Sequence, residues 1–210
     1  MNELIDFFID AYREAPTYLI ILEAIAFVFG IASVWYAKKA NILVYPLGII
    51  CTVITVYILF ISEYFGDMMM NFYYSVMSIY GWWNWSRKKE DTLIVPISRT
   101  NKKEKQIGVL FFVLTMMVTF LVYKVYDYDM QIPNYIDIVT SGIFFTAMWY
   151  MANKKLENWT LWIIANIITI PLYAYRGLGM LSFQYIIFTI LAIQGYKEWK
   201  KSLNKQNQIV

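Results

Sequence analysis

Residues 158–175 read NWTLWIIANIITIPLYAY, a run without a single charged side chain. As a helix rising 1.5 Å per residue, it comes close to the ~20 residues needed to cross a hydrocarbon core about 30 Å thick. Six further segments of similar character lie at approximately 18–37, 42–62, 67–86, 107–126, 134–152 and 180–198. The chain therefore reads as an all-α membrane protein with seven transmembrane helices. Composition agrees, since 60% of the 210 residues are hydrophobic and 16% charged, against about 45–50% and ~25% in a soluble domain. There is no histidine and only one cysteine, Cys51. Zinc sites, histidine-based triads and an internal disulfide are thereby removed, and no metal or cofactor is expected.

Shifted by 114 residues, 158–175 falls on 44–61, and segments one to three fall on five to seven without a gap. Trp35–Tyr36 meets Trp149–Tyr150, Gly81 meets Gly195, Trp85 meets Trp199, and acidic Glu23 meets Asp137. Isoleucine and leucine matches are cheap in apolar helices, so the tryptophan, glycine and acidic matches carry the weight. Three spans are an odd number, and a copy following directly would enter the membrane inverted. Segment four, 107–126, crosses back and lets the second copy start on the same side as the first. The expectation is a 3+1+3 parallel repeat of the SWEET-like kind, with solute bound between the halves.

Lysine and arginine set the orientation. One side of the seven segments holds 15 of them, and the other holds only Arg13, Lys124 and Arg176. An outer N-terminus and a cytoplasmic C-terminus follow. The layout becomes an interfacial amphipathic helix over 1–16, which is not a secretory signal, and a first three-helix repeat over 17–86. A basic cytoplasmic linker covers 87–106, and a crossing helix with an outer loop covers 107–133. A second three-helix repeat over 134–201 and a polar tail over 202–210 complete it.

Catalytic constellations are missing: there is no GxxxxGK[ST] loop, and a serine or cysteine nucleophile would have no histidine base. What the chain offers is rings and amides at mid-depth. Trp159, Trp162 and Asn166 recur at three and four residues and share one helical face. Asn71 and Tyr74 share a face of the third segment, and Tyr185, preceded by Gln184, is the repeat mate of Asn71. Such a set holds a flat heteroaromatic solute by stacking and a few amide bonds. A tryptophan near a helix end more often belongs to an interfacial belt, and that reading suits Trp82, Trp83, Trp85 and Trp199 and is favoured for Trp159. Glu23 and Asp137 read equally as solvated interfacial acids or as functional groups.

The segments FGDMMMNFYYSVMSIYGWWNWSRKK, ENWTLWIIANIITIPLYAYRGLG and ILAIQGYKEWKK resemble the PnuC family of bacterial vitamin transporters over about residues 20–201. The resemblance implies a seven-helix carrier forming homotrimers in the bacterial inner membrane, with no nucleic-acid partner. It further implies inward facilitated diffusion of nicotinamide riboside, feeding NAD synthesis, with thiamine or riboflavin carried by other members. The family's W-x-x-W pair maps onto Trp159 and Trp162, and its polar binding residue maps onto Asn166. Asn71 stands where many members have glutamine, and Asp137, Tyr185, Tyr74 and Gln184 complete the expected substrate-binding set. A membrane enzyme using Glu23 or Asp137 and a non-transporting scaffold are the competing readings.

Overall fold

The computed structural model describes residues 16–61, 65–89, 92–93, 95–126, 130–175 and 179–209, so the N-terminal segment expected to be an interfacial helix lies outside them. Among the described residues there are seven helices: α1 (Thr17–Lys38), α2 (Val44–Ile61), α3 (Phe65–Ser86), α4 (Lys102–Tyr126), α5 (Ile132–Ala152), α6 (Glu157–Tyr175) and α7 (Gly179–Ile209). Of these, α1, α2 and α4 are individually long and apolar enough to cross a membrane. The other four carry Asn71, Asp137, Asn166 and Gln184, polar groups that lower their hydropathy. The last helix continues through the stretch read as a polar tail. A short hairpin absent from the sequence reading, β1 (Lys88–Lys89) with β2 (Thr92–Leu93), follows α3.

Helices α1, α2 and α3 pack in sequence, as do α5, α6 and α7, while α4 lies on α5. The two groups of three meet through α1 against α7 and α3 against α5. Each group has a tight turn closed by a residue in the left-handed region, Ala40 (φ 51°) after α1 and Lys154 (φ 50°) after α5. These positions are 114 residues apart.

The same spacing recurs in the core. The Tyr45 ring lies edge-on to Trp85 with centroids 5.0 Å apart, and Trp159 lies edge-on to Trp199 at 5.5 Å. Tyr45 lies against Gly81, where a Cβ would sit 2.3 Å from the ring. Trp159 lies against Gly195, where a Cβ would sit 2.7 Å away. Glycine is needed at both places because no side chain fits between ring and helix backbone. The Trp85 indole N–H donates to Ala152 O at 3.1 Å, and the Trp199 indole N–H donates to Ala37 O at 3.0 Å. Each group of helices thus sends one tryptophan into the other, and the two rings stand 6.0 Å apart. Lys38 of α1 reaches Gln194 (3.0 Å) and Glu198 (3.5 Å) of α7, closing the lysine-rich end.

This arrangement corrects the belt reading of three tryptophans. Trp85, Trp159 and Trp199 are at most 2% exposed, whereas Trp82 and Trp83 face outward as a belt requires. The buried three have their rings enclosed between the two helix groups, and two of them have an indole N–H satisfied by a carbonyl of the opposite group. That solution is available only where two helix ends meet.

The linker is held down rather than solvated throughout. Ile97 is buried, Ser98 exchanges backbone bonds with Lys154 and Leu156, and the Thr100 N–H donates to Glu157. Asn101 and Glu104 cap α4 reciprocally, each side chain accepting the other's backbone N–H at 2.9 Å. Lys155 pairs with Glu104 at 2.8 Å. Beside it Lys154 lies buried over the Trp85 ring at 4.4 Å, and desolvation pulls its amine below the usual lysine range.

Candidate functional site

A partly open cavity of about 2140 Å³ lies between the two helix groups and α4. At the lysine-rich end it stops at Trp159, Met151 and Ala192, on the buried ring cluster, and it extends past Asn166 and Tyr185 to Glu23 and Asp137. Pockets that enclose one small ligand have ~300–1,000 Å³. The cavity therefore combines a vestibule with a binding region, the latter lying where rings and amides converge.

All eight residues expected to bind solute line this one cavity: Asn71, Tyr74, Asp137, Trp159, Trp162, Asn166, Gln184 and Tyr185. Helix periodicity brings Trp162 and Asn166 to the same face of α6, and packing of α6 between α5 and α7 turns that face inward. Trp162 lies 6.1 Å from Tyr74 and 5.4 Å from Phe144. Phe144 in turn stands 6.0 Å from Tyr185, which meets Tyr173 edge-on at 5.2 Å. An arc of five rings results, drawn from α3, α5, α6 and α7.

Asn166 is 2% exposed, and its Oδ1 has no hydrogen-bond partner among the described residues. A buried amide carbonyl left unpaired costs about 1–3 kcal/mol, which makes Asn166, at a cavity wall, a candidate ligand contact. Trp159 plays a different part from Trp162. Its ring is wedged between Gly195 and Trp199 at the cavity floor, and its Nε1 also lacks a partner.

Asp137 accepts a hydrogen bond from Tyr123 of α4, which ties the crossing helix to α5. Its repeat mate Glu23 lines the same cavity. No lysine or arginine does so among the described residues. A cavity with two carboxylates and no basic side chain attracts a cation and gives an anion nothing to pair with.

Reading the sequence missed Tyr173, Ser33, Gly48 and Ser78, which line the cavity, and Phe144, whose buried ring packs against Trp162 and Tyr185 and completes the arc. Phenylalanine and serine inside apolar helices carry no periodic signal that separates cavity wall from helix packing. Gly48 and Thr52 were visible as the positions equivalent to Trp162 and Asn166, but their small side chains hid their place on the wall.

Both the sequence and the helical fold match known proteins. Residues 20–201 match the family described as nicotinamide mononucleotide transporter. The chain belongs to this family. Among curated relatives, the nicotinamide riboside transporter PnuC of Escherichia coli (strain K12) is 23% identical, covering 88% of this chain and 87% of the relative. PnuC of Neisseria mucosa is 25% identical over 89% and 74%. The riboflavin/roseoflavin transporter RibM of Streptomyces davaonensis is 23% identical over 59% and 58%. In fold, the chain is similar to the crystal structure of the vitamin B3 transporter PnuC, with a TM-score of 0.68 and 24% identity over 88% of this chain and 82% of that one.

The PnuC resemblance seen in the motifs is therefore correct, and the chain is a multi-pass membrane transporter and not an enzyme. The carboxylates Glu23 and Asp137, considered above as an acid or base, are cavity residues of a PnuC-family carrier.

Proposed function

We propose that this PnuC-family chain carries nicotinamide riboside across the bacterial inner membrane by facilitated diffusion, feeding NAD synthesis. The observation that carries the reading is Asn166, whose buried, unpartnered Oδ1 stands one turn from the Trp162 ring on a cavity wall. An amide N–H of the nicotinamide carboxamide satisfies that oxygen, and the cationic pyridinium stacks on the electron-rich indole. The family's description names the mononucleotide, but the absence of lysine and arginine from the lining among the described residues favours the unphosphorylated riboside. Two curated relatives that this chain matches over most of their length bear the riboside's name.

The working architecture is the 3+1+3 parallel repeat, supported by the matching left-handed turns, ring-on-glycine contacts and reciprocal tryptophans 114 residues apart. With the basic end in the cytoplasm, the ring cluster closes the inner side and the cavity reaches toward the outer one. Transport then consists of rocking the two groups about the fixed site. Homotrimers are expected from the family resemblance. Thiamine is the second substrate reading, since its thiazolium is also flat and cationic.

Titration calorimetry of the purified protein with nicotinamide riboside, nicotinamide mononucleotide, thiamine and riboflavin tests the substrate. Riboside binding weakened about tenfold in Trp162→Ala is expected, and no heat with the riboside in wild type refutes the proposal. Flux in proteoliposomes that follows the solute gradient supports uniport. Accumulation driven by an ion gradient would overturn it.

A further inference from the structure

Gly48 lies inside α2, where glycine is a poor helix former and no positive φ requires it. Its effect is on space. A Cβ there would stand 3.1 Å from Ser33 Oγ and 3.6 Å from Ser78 Oγ, so the missing side chain leaves both hydroxyls open to the cavity. The equivalent position in the second group of helices is Trp162, and the position equivalent to Asn166 is Thr52. Ser33, Gly48, Thr52 and Ser78 all line the cavity that Trp162 and Asn166 line. One wall thus carries the indole and the amide, and the related wall carries hydroxyls.

Two of these hydroxyls, those of Ser33 and Thr52, have committed their protons. Ser33 donates to Val44 O at 2.7 Å. Thr52 has its proton engaged as well, on Ile49 O at 3.3 Å or on Ser75, with which it shares a 2.7 Å contact. A hydroxyl has one donor and two lone pairs, which leaves the Ser33 and Thr52 oxygens as acceptors. In the same cavity, Asn166 Oδ1 is a further buried acceptor without a partner among the described residues. The site therefore asks for a ligand rich in O–H and N–H donors.

We propose that Ser33, Thr52 and Ser78, uncovered by Gly48, form a sugar subsite that takes the vicinal ribose hydroxyls of a cationic riboside while Trp162 and Asn166 hold its base. This rests on the transport reading above and adds to it the residues that distinguish a riboside from its bare base. Ribose hydroxyls donate to the two serine and threonine oxygens, whereas a phosphate at neutral pH offers oxygens that have no partner there.

The test compares nicotinamide riboside with 1-methylnicotinamide, which keeps the cationic ring and lacks the sugar, by calorimetry on wild type, Thr52→Val, Thr52→Ser and Gly48→Ala. Wild type should prefer the riboside by at least 10-fold. That ratio should fall about 5-fold or more in Thr52→Val and Gly48→Ala and be retained in Thr52→Ser, with 1-methylnicotinamide affinity unchanged throughout. Thermal melts accompany each variant, and Gly48→Ala should melt no lower than wild type, separating loss of the subsite from loss of the fold. Riboside binding with an unchanged ratio in both Thr52→Val and Gly48→Ala overturns the subsite alone. Wild type that binds no riboside overturns the transport reading and the subsite with it.

Discussion

Replacing Asn166 by leucine should make the empty protein more stable and the transporter worse. Asn166 is 2% exposed with an unpartnered Oδ1, so the folded state carries an uncompensated desolvation cost of about 1–3 kcal/mol. Leucine removes that polar group and projects a branched apolar side chain into a cavity with room for it. A gain near the low end, about 1 kcal/mol, corresponds to roughly 2–4 °C in Tm for a chain of this size. The ligand bond disappears at the same time, and a buried amide bond of about 1–3 kcal/mol amounts to roughly one to two decades in Kd. Thermal unfolding in detergent and calorimetry with nicotinamide riboside measure the two quantities on one preparation. Opposite signs are the signature of a polar group kept for a ligand. A lower Tm in Asn166→Leu would mean that the amide holds the fold together, and the reasoning from its unpaired oxygen would be wrong.

Trp162→Ala should weaken riboside binding by about one decade, because the face lost supplies a cation–π contact of roughly 0.5–2 kcal/mol plus stacking area, and Trp162→Phe should recover part of it, as calorimetry can read. Nicotinamide mononucleotide should bind at least tenfold more weakly than the riboside, since no basic residue lines the cavity among the described residues; equal affinities in a competition assay would reveal an anion site. Gly81→Ala and Gly195→Ala should each lower Tm, because a Cβ would sit 2.3 Å from the Tyr45 ring or 2.7 Å from the Trp159 ring, and overpacking of that kind costs about 1–3 kcal/mol. Ala40→Gly should act oppositely, raising Tm by relieving a left-handed alanine worth about 1 kcal/mol. An Ala40→Gly protein melting below wild type would count against the turn geometry.

The seven apolar segments, the 114-residue register, the basic linker and the eight candidate site residues could all be read in the chain, because each rests on local pattern. Apolar length fixes which helices form in a bilayer, and 3.6-residue periodicity fixes which side chains share a face, as with Trp162 and Asn166. What periodicity cannot supply is the partner that a face meets. Trp85, Trp159 and Trp199 look like belt residues on their own helices and become core only when two helix groups close over them and offer the carbonyls of Ala37 and Ala152. Phe144 and Tyr173 join the ring arc, and Gly48 uncovers Ser33 and Ser78, through contacts between helices far apart in sequence. The sequence by itself determined the apolar helices and the family. Tertiary packing alone decided which tryptophans are buried, which oxygens are left without partners and where the cavity lies, since each depends on distances between segments that no local pattern encodes.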